Sequence, residues 1–472
     1  MFSLMEILEV LNSCNNNFCS DYSYSIVPTV LLPLAFLSTG ITVVATFIAG
    51  LFGVKLKAEG PKKLLEVLLK PKVLISAMIF NLLIYGGMEA YQYIKHGPVP
   101  LFIQDTFNSD ITYKKDPINV DPENFIWQQV VPEGIFASGT VVDGELFVGS
   151  NEGNLFVLDI ETGAIKNKIF FGKFLSPTPV YFKGFLYFGE GLHASHHMRV
   201  YKFNPKTKKV VGSFKTKGHT EILPVIHTIE GKDYLFQTAG GDGLYAIDPE
   251  TMKEIWHFEG GHMDAFVLLK DNAVYVASGV PEEDLGKARP FAYKIDAKSG
   301  KQIWREELSL SSWYGPVATR ENICFIQGEL HVKSELGGLV CFNSLGGRIS
   351  SVEIDSPVIG KPLVFDDIVV FNDFDGRVYA WNSVTSELKW KYESRKKKLG
   401  YNYSSMKYDG EKLIFIDRLG KISYLDLNDG SLIKSRLFSE GEKPENIFAD
   451  TLILDKGHIV FGMKGSIKYF KN

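Results

Sequence analysis

Gly243-Leu-Tyr-Ala-Ile-Asp248-Pro-Glu-Thr-Met-Lys-Glu-Ile-Trp256 decides the fold of most of this chain. A run of apolar and aromatic residues ends on Asp248, a tight turn follows, and a second run places a tryptophan eight positions after the aspartate. The aspartate carboxylate can accept from its own downstream backbone, which is why Asx opens such turns. Around this unit lie two further strand-like runs, His219 to Ile226 and Asp233 to Thr238, so one repeat reads as four short strands. Apolar runs of the same kind end at Asp159, Asn204, Asp248, Asp296, Asn343, Asn382, Asp426 and Lys471. The shortest step, Asn343 to Asn382, is 39 residues and the longest, Asp248 to Asp296, is 48. A period of about 44 residues with four strands each is the mark of a β-propeller.

The last repeat stops at its third strand, and the missing fourth lies upstream, in Asn124 to Val131, with Trp127 at the recurrent tryptophan position. The sequence therefore predicts an all-β, eight-bladed propeller over residues 123–472, closed by strand exchange between its two ends, which removes the exposed edge. Trp127, Trp256, Trp304 and Trp390 share one repeat position and are expected to pack between blades.

In its ideal form the pattern is Gly-x-Leu-Tyr-Ala-Leu-Asp-x-x-Thr-Gly-x-x-x-Trp. Residues Gly243 to Trp256 match it nearly in full, and the chain resembles the pyrroloquinoline-quinone-like (PQQ-like) propeller repeats. Those repeats occur in quinoprotein dehydrogenases and in the scaffold subunit of the outer-membrane barrel-assembly machinery. Quinoproteins of this type carry an adjacent Cys-Cys pair over the cofactor. This chain has four cysteines, Cys14, Cys19, Cys324 and Cys341, none adjacent. The resemblance thus implies a scaffold rather than an enzyme, with no cofactor expected. The alternative it leaves is a ligand sensor or quinoprotein-like oxidoreductase holding PQQ or a divalent metal.

The first hundred residues are different material. No charge occurs between Tyr22 and Val54, and a second run, Val73 to Ile94, has only Glu89. Each exceeds the roughly 20 apolar residues needed to span a bilayer, so residues 25–94 read as two transmembrane α-helices. Between them, residues 55–72 hold six lysines against two glutamates, while the tail 1–24 has neither lysine nor arginine. Lysine-rich loops stay cytoplasmic, so both tail and propeller are expected on the outer side of the inner (plasma) membrane, in periplasm or extracellular space. Residues 95–122 read as a stalk. No cleaved signal peptide is expected, because no basic region precedes the first apolar run. Ala45, Ala49 and Gly53 form a small-residue stripe, suited equally to packing on the second span or on another membrane protein. A formal net charge of −4 gives no reason to expect nucleic acid. Expected partners are other envelope or membrane proteins and the lipid bilayer.

Candidate chemistry gathers where the blades open. His219-Thr-Glu221 and His262-Met-Asp264 repeat a His-x-acid phrase in adjacent blades, beside Ser312-Trp-Tyr314 and Tyr401-Asn-Tyr403. His219, Glu221, His262 and Asp264 would surround one small cavity at the channel mouth, as partly solvated residues at strand entrances, and could hold a divalent metal or a polar ligand. His193, His196 and His197 fall between the second and third strands of blade two and read as a solvated loop, the alternative being a metal site, for which a loop rarely supplies all the ligands. Arg395 to Lys398 reads as solvated surface. Cys324 and Cys341 fall in strands of blade five, either paired or as buried thiols, and Cys14 with Cys19 could close a short disulfide.

Overall fold

The structure, a computed structural model, describes residues 125–471 apart from positions 176, 194, 330–335, 397 and 439–445. The predicted spans, the lysine loop, the stalk, the stripe Ala45, Ala49 and Gly53, and the Cys14–Cys19 pair lie outside the described residues. Among the described residues no helix is long and apolar enough to cross a membrane.

Thirty-two strands form eight four-stranded antiparallel sheets, and one 3-10 turn, Glu282–Asp284, is the only helical element among the described residues. Blades 1 to 7 each use four consecutive strands, within residues 140–170, 180–215, 225–258, 268–307, 317–354, 363–393 and 407–437. Blade 8 takes three strands from the C-terminus, within residues 452–471, and its outermost strand, Phe125–Val130, from the other end of the chain. Phe125 pairs with Phe470, Trp127 with Tyr469 and Val130 with Ser466, so the predicted closure is observed.

Middle strands are buried on both faces, as in Gly337–Phe342, because each blade is covered by a neighbour on either side. Their sequences are accordingly continuous apolar runs rather than alternations. Outer strands such as Gln302–Glu307 and Leu432–Leu437 alternate towards solvent. Most innermost strands have only two or three residues and are partly open to the channel, Leu363–Phe365 being typical.

In every blade the outer strand carries a register shift against its neighbour. In blade 3 Ala246 faces Trp256, while the next pair is Ile247 with Glu254, leaving Ile255 as the extra residue. A bulge adds local twist and re-aims a side chain, and here it turns the tryptophan onto the next blade. Trp127 Nε1 donates to Ile160 O (2.7 Å), Trp256 to Ala297 O (3.0 Å), Trp304 to Ser344 O (3.2 Å) and Trp390 to Leu427 O (3.0 Å). Each acceptor directly follows the Asx that opens the neighbouring blade's turn. Blade 5 has Ser350 at this position, and its hydroxyl donates to Ser383 O of blade 6.

Cys324 and Cys341 sit directly opposite each other in adjacent strands of blade 5 and form a buried disulfide. This settles the choice between paired and free thiols in favour of pairing. Arg395 is not merely solvated surface. It forms an ion pair with the buried carboxylate of Asp417 at 2.6 Å.

Candidate functional site

The segment His219 to Ile226 was expected to be the innermost strand of blade 3, but that strand begins only at Val225. The backbone explains why. Thr220 N donates to Glu190 O of blade 2, and in the equivalent place Met263 N donates to Gly240 O of blade 3. These groups bond the preceding blade, so the His-x-acid phrases lie in the connections that cross from one blade to the next. Those connections, with the turns between second and third strands, form one face of the propeller.

On that face the axis opens into a cavity of about 320 Å³. Each of the eight connections contributes to its wall: Phe136, Thr178, Glu221, Asp264, Trp313, Ile359, Tyr403 and Phe448. The mouth has two unlike halves. One is an aromatic arc in which Phe174, Phe136, Phe448, Tyr403 and Phe374 meet in succession at 5.1–6.0 Å between ring centroids. Tyr401 extends it, 5.7 Å from Phe374.

The other half holds imidazoles and carboxylates. His219 Nε2 donates to Asp264 Oδ1 at 2.8 Å, and His262 Nε2 donates to Asp264 Oδ2 at 2.7 Å. His219 and Asp264 are 2% and 3% exposed, so His219 is not the partly solvated residue expected from its place in the sequence. Its burial follows from close packing on Gly240, where an added Cβ would fall 2.4 Å from the ring. The structure brings in a residue not assigned to this cluster from the sequence. His193 Nδ1 lies 3.4 Å from Glu221 Oε1 and 3.9 Å from Asp264 Oδ2, and its backbone N–H donates to Glu221 Oε2 at 3.1 Å. The histidine-rich turn is therefore not merely solvated: His193, His196 and His197 are all exposed, but His193 also turns its Nδ1 towards the cluster.

Burial alone would raise Asp264, but the hydrogen bonds and charges of His219 and His262 hold it well below the usual carboxylate range. Burial alone would lower His219, but Asp264 and Glu221 outweigh it and raise it. Glu221 is pushed up by burial and by the neighbouring Asp264 carboxylate. Across the cavity, Asp450 stays below its ordinary value despite burial, because Lys407 Nζ lies 3.0 Å away and Ser405 N–H donates to it.

PQQ does not fit this lining. The cofactor is a polycarboxylate, whereas the wall presents Glu221, Asp264 and Asp450 and, among the described residues, no lysine or arginine. The imidazoles and Lys407 already serve Glu221, Asp264 and Asp450, so further buried carboxylates would lack partners, which is costly.

Fold and repeat pattern together define an eight-bladed propeller built of PQQ-like repeats. Within it, residues 288–461 match the family described as outer membrane protein assembly factor BamB. BamB of Burkholderia pseudomallei (strain K96243) is 27% identical over 157 residues, which is 33% of this chain and 37% of that protein. Among solved structures, BamB from Moraxella catarrhalis superposes with a TM-score of 0.55 at 13% identity, covering 73% of this chain and 98% of its own. The computationally designed Ika8 protein gives 0.56 at 13% identity, over 74% of this chain and 100% of its own. Saccharomyces cerevisiae Sqt1 gives 0.55 at 10% identity, over 74% of this chain and 99% of its own. An assembly factor, a design and a yeast protein share this architecture, so the superpositions speak for the fold alone.

Proposed function

We propose that this chain is a membrane-anchored scaffold that binds another envelope or membrane protein through the channel-mouth face of its propeller. Two N-terminal spans and a stalk hold the propeller outside the plasma membrane, with no enzymatic activity of its own. The observation that carries the reading is Tyr401, at the outer end of the aromatic arc. Its ring is 56% exposed, and its backbone lies in the left-handed region at φ 55°. A bulky residue held there is strained, and such strain concentrates where a surface is used. Exposed aromatic anchors are also the side chains that carry binding energy at protein interfaces. Similarity to a protein named for outer-membrane assembly agrees with this reading. So does the buried disulfide of blade 5, a bond that persists in oxidising compartments.

The test is site-specific cross-linking in intact cells. A photoreactive residue replacing Tyr401 is expected to trap a membrane or envelope protein. The same group replacing Leu345, 86% exposed in a turn on the opposite face, is expected to trap none. Cross-links from Leu345 alone would move the docking surface, and cross-links from neither would remove the scaffold reading.

A further inference from the structure

We infer that His193, His219, Glu221 and Asp264 form a binding site for one first-row transition dication of the Zn²⁺ type, fastening three separate segments of the mouth together. The inference goes beyond the scaffold reading and does not depend on it.

Geometry carries it. One ligand atom from each of the four residues lies within 4.8 Å of all the others. In a tetrahedral site with bonds of about 2.0–2.1 Å, ligand atoms stand roughly 3.3–3.5 Å apart. The His193 Nδ1 to Glu221 Oε1 distance of 3.4 Å meets that spacing. The His219 Nε2 to Asp264 Oδ1 distance of 2.8 Å is a hydrogen bond that must open by only about half an ångström. Two imidazoles with two carboxylates select a borderline cation over Ca²⁺ or Mg²⁺, which prefer all-oxygen shells. The two carboxylates also match a double positive charge.

Supporting contacts are of the kind that metal sites require. The far oxygen of Glu221 is held by the His193 backbone N–H at 3.1 Å, and the far oxygen of Asp264 by His262 Nε2 at 2.7 Å. His193 has a half-exposed side chain, which gives the ion a route in from solvent, while His219 and Asp264 form a buried floor. With four protein ligands the site is closed, which fits a structural role rather than a catalytic one. The bound ion would tie the turn of blade 2 at residues 190–198 to the connections that enter blades 3 and 4.

The experiment uses the detergent-solubilised full chain, stripped with chelator, loaded with Zn²⁺, and measured for metal content and for affinity against a competing indicator. Wild type is compared with His193→Ala and with His196→Ala, a change in the same turn outside the cluster. The expected result is one Zn²⁺ per chain in wild type and in His196→Ala. His193→Ala should weaken binding by about ten-fold or more, and excess Ca²⁺ should not compete. Both substitutions are at solvent-facing side chains, and circular dichroism confirms that each variant folds. Absence of Zn²⁺ binding in wild type overturns the site. So does equal affinity in wild type and His193→Ala, or an equal loss in both variants, which would mean chelation by the loose turn.

Discussion

Trp127, from the first described strand, lies against Gly163 of blade 1, so close that a Cβ on the glycine would fall 2.6 Å from the ring. The same indole donates to Ile160 O at 2.7 Å. Its strand belongs to blade 8, so this one side chain both completes the last blade and docks it onto the first. The cluster around it joins Val131, Phe156 and Leu158 to Phe461, Ile467 and Tyr469. Trp127→Ala leaves a cavity at the seam of the ring, and such losses cost about 3–5 kcal/mol. Deleting residues 125–130 should cost more, because the edge of Ser466–Lys471 is exposed as well. Urea unfolding followed by fluorescence checks both. A deletion variant with an unchanged midpoint would show that the ring does not depend on this closure.

Gly300 repeats the arrangement three interfaces further on, between blades 3 and 4, and allows the contact to be separated from the backbone. Its φ is +71°, and an added Cβ would lie 2.7 Å from Trp256. Gly300→Ala therefore carries two penalties, backbone strain of about 1–3 kcal/mol and a clash with the indole. In a Trp256→Ala background the clash is gone and only the strain remains. Gly300→Ala should thus cost less in that background than in wild type, a coupling that a double-mutant cycle reads directly. Strict additivity would mean that the ring does not press on the glycine.

Blade number, ring closure and the tryptophan positions were legible because they are periodic. Trp256, Trp304 and Trp390 each follow an Asx by eight residues, and no loop length disturbs that local spacing. The bulge before each tryptophan was not legible, since Ile255 looks like any other strand residue and the extra position shows only in the pairing. The starts of the inner strands of blades 3 and 4 were misread for a similar reason. Thr220 and Met263 have strand-like neighbours, but their N–H groups bond the preceding blade. At the site, His219, Glu221, His262 and Asp264 were visible as a repeated phrase. His193 reaches the same cluster from the turn of another blade, and which turn bends towards the axis is a tertiary fact that spacing does not encode. The burial of His219 depends on Gly240, 21 positions away.

Glu190 gives the fold a pH dependence of predictable sign. It is buried in blade 2, accepts from Tyr201 at 2.8 Å, and has Arg199 only at 3.9 Å. Burial pushes its carboxyl from near 4.5 up to about 7. The folded state therefore holds a proton that the unfolded chain has already released. The contribution is fully present below about pH 4.5 and is lost as pH rises through about 7, by an amount on the order of 3 kcal/mol. Glu190→Gln keeps the acceptor for Tyr201 and cannot ionise. Its stability relative to wild type should rise between pH 5 and pH 8 and level off above. A difference independent of pH across that range would mean that Glu190 is not held protonated.

The orientation of the chain in the membrane rests on six lysines in residues 55–72 against none in the tail. Residue 58 should then be cytoplasmic and residue 108 external. With Cys14 and Cys19 replaced by serine, a cysteine introduced as Ala58→Cys should be shielded from an impermeant thiol reagent in intact spheroplasts. One introduced as Asn108→Cys should react. The Cys324–Cys341 bridge supplies an independent readout, because it lies in the propeller and closes a loop of sequence separation 17. An outward propeller passes through an oxidising compartment, so the protein isolated with thiols blocked should be two hydrogen masses lighter than its reduced form. Its reduction should cost about 2–4 kcal/mol of stability. Reverse labelling at 58 and 108, together with fully reduced Cys324 and Cys341, would place the propeller in the cytoplasm and end the envelope reading, while leaving the blade architecture untouched.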